Sequence, residues 1–213
     1  MKEIHFMTGI ASSGKSTRMM SFVEDLQSKY EYEEIVESYL ISKKNKIKQF
    51  SIGLYFPEIN LLALGRVAKI RNGEDRWTSF DGLATYGLRM DEIDQIVVNH
   101  SDKIIVSEGN IDYSPNRKLP KHLHSLGFDK VVSYCLMFDD FNTFFSRLNN
   151  RRVSSGRKPL DRAVALDKFN DQKSVKGYVS RFDCESLEGD KVLVLSASSS
   201  TDSFIEVFIN QGE

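Results

Sequence analysis

At 213 residues, 40% hydrophobic and 28% charged, the chain has the make-up of a globular protein and the length for one well-buried α/β domain rather than two. Its net charge of −1 excludes indiscriminate nucleic-acid binding through an overall basic field and leaves room only for a local basic groove. Two cysteines, Cys135 and Cys184, cannot build a disulfide framework, and no stretch approaches the roughly 18 apolar residues of a membrane span or forms a signal-peptide core. A reducing cytoplasm is the expected setting.

Ile4 to Thr8 reads as a short buried strand running into Gly9-Ile10-Ala11-Ser12-Ser13-Gly14-Lys15-Ser16-Thr17. Lys15 to about Tyr30 reads as a helix with Met19, Phe22, Val23, Leu26 and Tyr30 on one face. Residues 31–58 form an expected antiparallel hairpin insertion, with a basic stretch from Lys43 to Lys48 as its turn, leading into a strand at Ile59 to Gly65. Gly65 to Gly82 is polar and reads as a loop at the strand's C-terminal edge. Leu83, Tyr86, Met90, Ile93 and Val97 predict a helix to about His100.

Strands are expected at Lys103 to Gly109, Lys130 to Phe138 and Lys191 to Ser196, with a helix around Lys118 to Leu126 between the first two. Asp139 or Asp140 caps a helix whose apolar face is Phe141, Phe144, Phe145 and Leu148. A long helical pattern covers Asp161 to Phe182, and a closing helix covers Asp202 to about Asn210. Strands alternating with helices imply a mostly parallel sheet covered on both faces, a three-layer α/β sandwich.

Two glycines five apart, followed by Lys and a hydroxyl residue, have the spacing of a phosphate-binding P-loop. The glycines let successive backbone N–H groups turn inward on a polyphosphate, and the helix that follows adds its positive end. Gly9, Ser12, Ser13, Gly14, Lys15, Ser16 and Thr17 are the expected nucleotide contacts, with Lys15 on the β- and γ-phosphates and Ser16 on Mg²⁺. Glu108, ending a buried strand, is the second expected Mg²⁺ residue. No Asn-Lys-x-Asp guanine-reading motif occurs. Instead Arg147, Arg151, Arg152 and Arg157 crowd a segment, about 147–162, expected to act as a lid. Arg151 and Arg152 are the expected catalytic arginines and Arg147 a nucleotide contact, because planar cations closing over a moving phosphoryl group stabilise its charge. A solvated basic helix end is the alternative reading.

On the acceptor side a hydroxyl acceptor needs a carboxylate, for which Asp75 is the first candidate and Asp81 the reserve. A phosphate acceptor would need arginines, and Arg66 and Arg76 are near. Trp77 could stack on a base or pack in the core.

Taken together, the P-loop, Ser107-Glu108-Gly109 and the arginine segment resemble the nucleotide and polynucleotide kinase branch of P-loop proteins. Gly65-Arg66, followed by Gly73-Glu74-Asp75-Arg76 and then Ser107-Glu108-Gly109, is most similar to phage kinases that phosphorylate 5-hydroxymethyluracil within DNA. Glu74 stands where that family's pattern has Thr, and Val67 where it has Tyr. The resemblance implies a single P-loop kinase domain over residues 1–213, ATP and Mg²⁺, a DNA acceptor, Asp75 as base and, for a phage protein, the host cytoplasm. A kinase of free nucleosides or nucleotides is the other enzymatic reading, and a nucleotide-dependent binding module is the reading from another class.

Overall fold

Glu3–Gly9 forms the first strand, β1, and all seven of its residues are buried. A computed structural model gives the fold and describes residues 1–41, 46–69, 75–79, 88–110 and 115–199. The first helix, α1, spans Lys15–Lys29. Next come the strands β2 (Glu33–Ile41), β3 (Lys46–Phe56), β4 (Leu61–Lys69) and β5 (Asp75–Ser79). Helix α2 covers Met90–Asn99, β6 Ile104–Asn110, α3 Pro120–Ser125 and β7 Lys130–Met137. Helices α4 (Phe141–Ser154), α5 (Arg162–Asn170) and α6 (Gln172–Glu185) precede the last described strand, β8 (Lys191–Ser196).

Among the described residues eight strands form one mixed sheet in the order β2-β3-β4-β6-β1-β7-β8, with β5 paired to β4. The run β4-β6-β1-β7-β8 is parallel throughout, and β2, β3 and β5 add antiparallel edges. The expected hairpin insertion is thus the β2–β3 ribbon. Side chains alternate across each strand, so every central strand feeds two cores. Ile4, Phe6, Leu62, Leu64, Ile105 and Val131 face the core shared with α2, α3, α4 and α6. Met7, Leu61, Ala63, Val106, Val132 and Tyr134 face the core shared with α1 and β5. On α1, Met19, Phe22, Val23 and Leu26 sit at helical spacing and are buried, each stabilising the helix on the sheet by about 1.5–3 kcal/mol.

Three expectations are corrected. The stretch from Gly65 is not all loop: β4 continues to Lys69 and pairs with β5, Gly65 opposite Ser79 and Lys69 opposite Asp75. Gly65 makes this possible. Its φ is +139°, and a Cβ there would stand 2.6 Å from the Trp77 indole. The helix expected from Leu83 begins at Met90, where Glu92 accepts the Arg89 backbone N–H at 2.6 Å; residues 80–87 lie outside the described ones. The long pattern from Asp161 breaks into α5 and α6 at Asp171, because the Gln172 side chain turns inward to the backbone of Phe138, its Oε1 accepting the N–H at 2.5 Å. The expected helix at Lys118 is α3 preceded by a 3₁₀ turn at Pro115–Lys118, and Asp140 rather than Asp139 caps α4. The closing helix lies outside the described residues.

Two histidine networks hold the sheet. Glu3, buried at the start of β1, accepts from His5 at 2.8 Å and from Lys130 at 2.6 Å. Burial opposes the Glu3 charge, but these donors bring its pKa down to about 2. Burial holds His5 below its ordinary value. On α3, His124 meets the Phe128 carbonyl through Nδ1 and the fully buried Asp190 carboxylate through Nε2, each at 2.8 Å. Burial disfavours its charge, but the bonds to Asp190 and Phe128 and the charges of Asp190 and Asp129 outweigh it, and the pKa is raised.

Only the imidazolium donates from both nitrogens. The stability His124 contributes is therefore complete below the ordinary histidine range and is lost as pH rises through the raised value. Denaturant melts of wild type and His124→Gln should differ more at about pH 5.5 than at about pH 8.5. A gap that stays constant or widens with pH would remove the charged state from this account.

Candidate active site

The C-terminal ends of β1 and β6 lie side by side, Met7 level with Glu108 and Thr8 with Gly109. The strand order reverses around β1, and open α/β sheets bind ligands in that crevice. After β1 the chain makes a tight loop with Ser12 at φ +64°, then enters α1 at Gly14, whose φ is +90°. At that angle an L side chain is strained, so the position favours glycine; a Cβ there would also meet the tip of Arg18, Nη1, at 2.7 Å. Gly14 also leaves the first turn of α1 without a side-chain cap, and that turn carries no acidic residue. N–H groups left in this way suit an anion.

Lys15 is buried and curls over the loop, donating to the carbonyls of Gly9 and Ile10 at 2.9 Å and reaching Ser13 Oγ at 3.5 Å. Ser16 donates its hydroxyl to Glu108 Oε1 at 3.0 Å, and Glu108 itself is 3% exposed. Thr17 is exposed beside them. Thr8 Oγ1 and Ser12 Oγ are buried without a hydrogen-bond partner among the described residues. The residues picked from the loop motif and Glu108 therefore meet at one place.

Arg18 was not foreseen. It is 3% exposed, and its Nη1 donates to Ser13 O at 3.2 Å while Nη2 donates to the carbonyls of Ser196, Ala197 and Ser199 at 2.7–3.3 Å. Arg147 reaches the same turn, donating to Ala197 O at 2.5 Å with its guanidinium 5.9 Å from the centre of the Phe138 ring. Burial first, and then the Arg147 charge, lower the Arg18 pKa. Two cations thus fix the turn after β8 against the loop after β1.

The other arginines follow α4 to its end. Arg151 is exposed. Arg152 donates from Nε to Lys158 O at 2.7 Å, and Arg157 N–H to Arg152 O at 2.8 Å. The turn is closed by Asn149, whose amide exchanges two hydrogen bonds with the Leu160 backbone, at 2.8 and 3.2 Å. Asn149 likewise escaped the sequence reading. An Asn in a polar helix end carries no mark of such a partner.

The residues expected on the acceptor side separate. Trp77 is 1% exposed and packs with Met7, Met19 and Phe22, so it is a core residue and offers no open stacking face. Arg66 is half-buried on β4. Asp75 is exposed and stands at the far end of the β4–β5 ladder, opposite Lys69. The side chain of Arg76 and the whole of Asp81 lie outside the described residues. Ser79, two residues before Asp81, pairs with Gly65, which directly follows the Leu64–Ser107 pair.

Among the described residues no helix is long and apolar enough to cross a membrane. No curated protein matches the chain. Among solved structures it is similar to an uncharacterized protein from Eubacterium ventriosum, at 12% identity over 99% of this chain and 97% of that one, with a TM-score of 0.41, a likeness too distant to inform the site. A family model described as 5-hmdU DNA kinase 2 matches residues 1–114, which hold the glycine loop, Lys15, Ser16, both antiparallel ribbons and Glu108. This chain belongs to the 5-hmdU DNA kinase 2 family.

Proposed function

We propose that the protein is a P-loop kinase, one domain over residues 1–213, that transfers the γ-phosphoryl group of ATP to the hydroxymethyl oxygen of 5-hydroxymethyluracil in DNA. The observation that carries this reading is the 3.0 Å contact of Ser16 with the buried Glu108 carboxylate at the end of the adjacent parallel strand. A hydroxyl and a carboxylate so paired, next to a buried lysine and an uncapped helix N-terminus, suit a triphosphate with its divalent cation. Mg²⁺ takes one or two protein ligands and completes its shell with water and phosphate oxygens, so one hydroxyl and one carboxylate are donors enough. Bound there, Mg²⁺ would neutralise charge on the phosphate oxygens.

The residues then divide the work. The loop from Gly9 to Thr17 binds the phosphates, and Lys15 and the α4 arginines offset negative charge on the moving group. The acceptor oxygen attacks the γ-phosphorus, the bond to the β-phosphate oxygen breaks, ADP leaves, and the hydroxyl proton passes to a carboxylate. Asp75 and Asp81 are the two proposed holders of that proton. The β4–β5 ladder bears on Asp75 alone, since Asp81 lies outside the described residues. Asp75 is paired four residues beyond Gly65, about 13 Å of strand past the level of Glu108. The reading therefore moves the base from Asp75 to Asp81.

Labelled ATP offered to DNA containing 5-hydroxymethyluracil, to unmodified DNA and to free nucleotides tests both the reaction and the base. Wild type should label only the modified DNA. Asp81→Asn should lower kcat by about 10²–10⁴ with ATP binding nearly unchanged, and Asp75→Asn by much less. Label on a free nucleotide and none on DNA would overturn the reading. The reverse ranking of the two variants would return the base to Asp75.

A further inference from the structure

Ser155 to Asp161 join α4 to α5, and the link has the bonds of a built turn rather than of an open strap. Gly156 leaves the helix at φ +71°. Its N–H donates to Val153 O at 2.9 Å, and the N–H of Arg157 donates to Arg152 O at 2.8 Å. This nested pair is a Schellman closure, which satisfies carbonyls that a helix end otherwise leaves open. Pro159 fixes one backbone angle by its ring. Leu160 is then gripped on both its N–H and its carbonyl by the Asn149 amide, and its side chain packs on the core. Asp161 caps α5 through the Val164 N–H at 2.9 Å.

The far side of the turn is anchored as well. The Arg162 guanidinium lies 4.8 Å from the centre of the Phe141 ring and 5.7 Å from that of Phe145, and its Nη2 donates to Asn142 Oδ1 at 2.8 Å. Those contacts tie the start of α5 to the first turn of α4. Within this frame Arg152 donates from Nε to Lys158 O at 2.7 Å, while its two Nη groups have no hydrogen bond among the described residues. A guanidinium held at Nε keeps its plane and still offers the Nη pair, which matches two oxygens of a phosphoryl group. Lys158 O is in turn placed by Asn149, which grips the chain two residues further on. The helix end also stands close to the loop. Arg147, about 7.5 Å before Arg152 along the helix, bonds the same Ala197 carbonyl as Arg18, which holds Ser13.

We infer that Asn149 is a positioning residue for phosphoryl transfer, presetting the Arg152 guanidinium through Leu160 and Lys158. The α4–α5 turn is then a fixed arm, not a lid that closes at each turnover. This rests on the kinase reading above and adds how the arginine is presented. A lid must be ordered each time it closes, whereas a preset donor needs no reorganisation as charge develops. A fixed arm also suits a polymer. A base within DNA carries its strand on both sides, and a lid closing over the base would meet that strand.

Amide hydrogen exchange with and without a non-hydrolysable ATP analogue reads the turn directly. In the free protein Gly156, Arg157 and Leu160 should exchange at least about tenfold more slowly than open chain, and the analogue should slow them by less than about twofold more. Open-chain exchange in the free protein, slowed more than about tenfold by the analogue, would make the segment a closing lid and overturn the inference. Kinetics on DNA containing 5-hydroxymethyluracil read the positioning. Asn149→Ala should lower kcat by about 10–100-fold and change KM for ATP by less than about threefold. In an Arg152→Ala background the same change should cost less than about threefold, because the group it positions is gone. Equal losses in the two backgrounds would leave Asn149 a purely structural residue, with the kinase reading intact. If wild type labels a free nucleotide and no DNA, yet the exchange pattern and the coupling measured on that nucleotide hold, the DNA acceptor is overturned and the arm is supported.

Discussion

Lys15→Ala should abolish turnover, by about 10³–10⁵ in kcat, and leave the protein folded. Groups that offset charge on a transferring phosphoryl are worth that much, because they act mainly in the transition state. Lys15 lies over the carbonyls of Gly9 and Ile10 and beside Ser13, so it sits inside the loop that the phosphates would enter. Removing it also frees those carbonyls, so a small loss of stability, about 1 kcal/mol, should accompany the kinetic effect. Steady-state rates with thermal melts check both. Near-normal turnover would remove the loop from the chemistry.

The second large effect belongs to the end of α4. Arg151→Ala should lower kcat by about 10³–10⁵ while changing KM for ATP only a few fold. Arg152→Ala should lower kcat too, but its bond to Lys158 O also shapes the turn, so its melting temperature should fall as well. Arg152→Lys keeps charge and loses the bond geometry, and it should rescue little. If all these variants alter KM alone, the arginines are only a solvated basic helix end.

What could be read from the sequence was local. The glycine loop, Lys15, Ser16 and the strand ending in Glu108 announce themselves because spacing along one segment dictates them. Strand β8 and helix α1 were legible for the same reason: a period of two or of 3.6 residues needs no distant partner. The β4–β5 ribbon was not. Arg66, Lys69, Asp75 and Thr78 make it as polar as a loop, and Trp77, buried on β5, needs the room that Gly65 leaves for its ring. Arg18 was invisible on other grounds. Its acceptors in the Ser196–Ser199 turn lie 178 residues and more away along the chain, and nothing in Thr17-Arg18-Met19 hints at them. The break at Asp171 was hidden by its own conformation. Asp171 keeps right-handed helical angles, φ −59° and ψ −15°, so the apolar pattern runs through it almost unshifted.

The Arg18 bonds set an order of events for a chain growing from its N-terminus. β1 pairs with β6 and β7, whose residues are made about a hundred positions later, and Arg18 ties Ser13 to a turn that follows β8. The glycine loop is synthesised well before β8, yet it takes its bonded form only after that strand has docked. Closing contacts of such long separation is slow, and until then the apolar strands stay uncovered. A nascent chain of this protein therefore carries its glycine loop unfinished until β8 has been made and gains that loop's final shape in one late step. A ligand that binds the finished loop adds its free energy at that step and pulls the last strand into place.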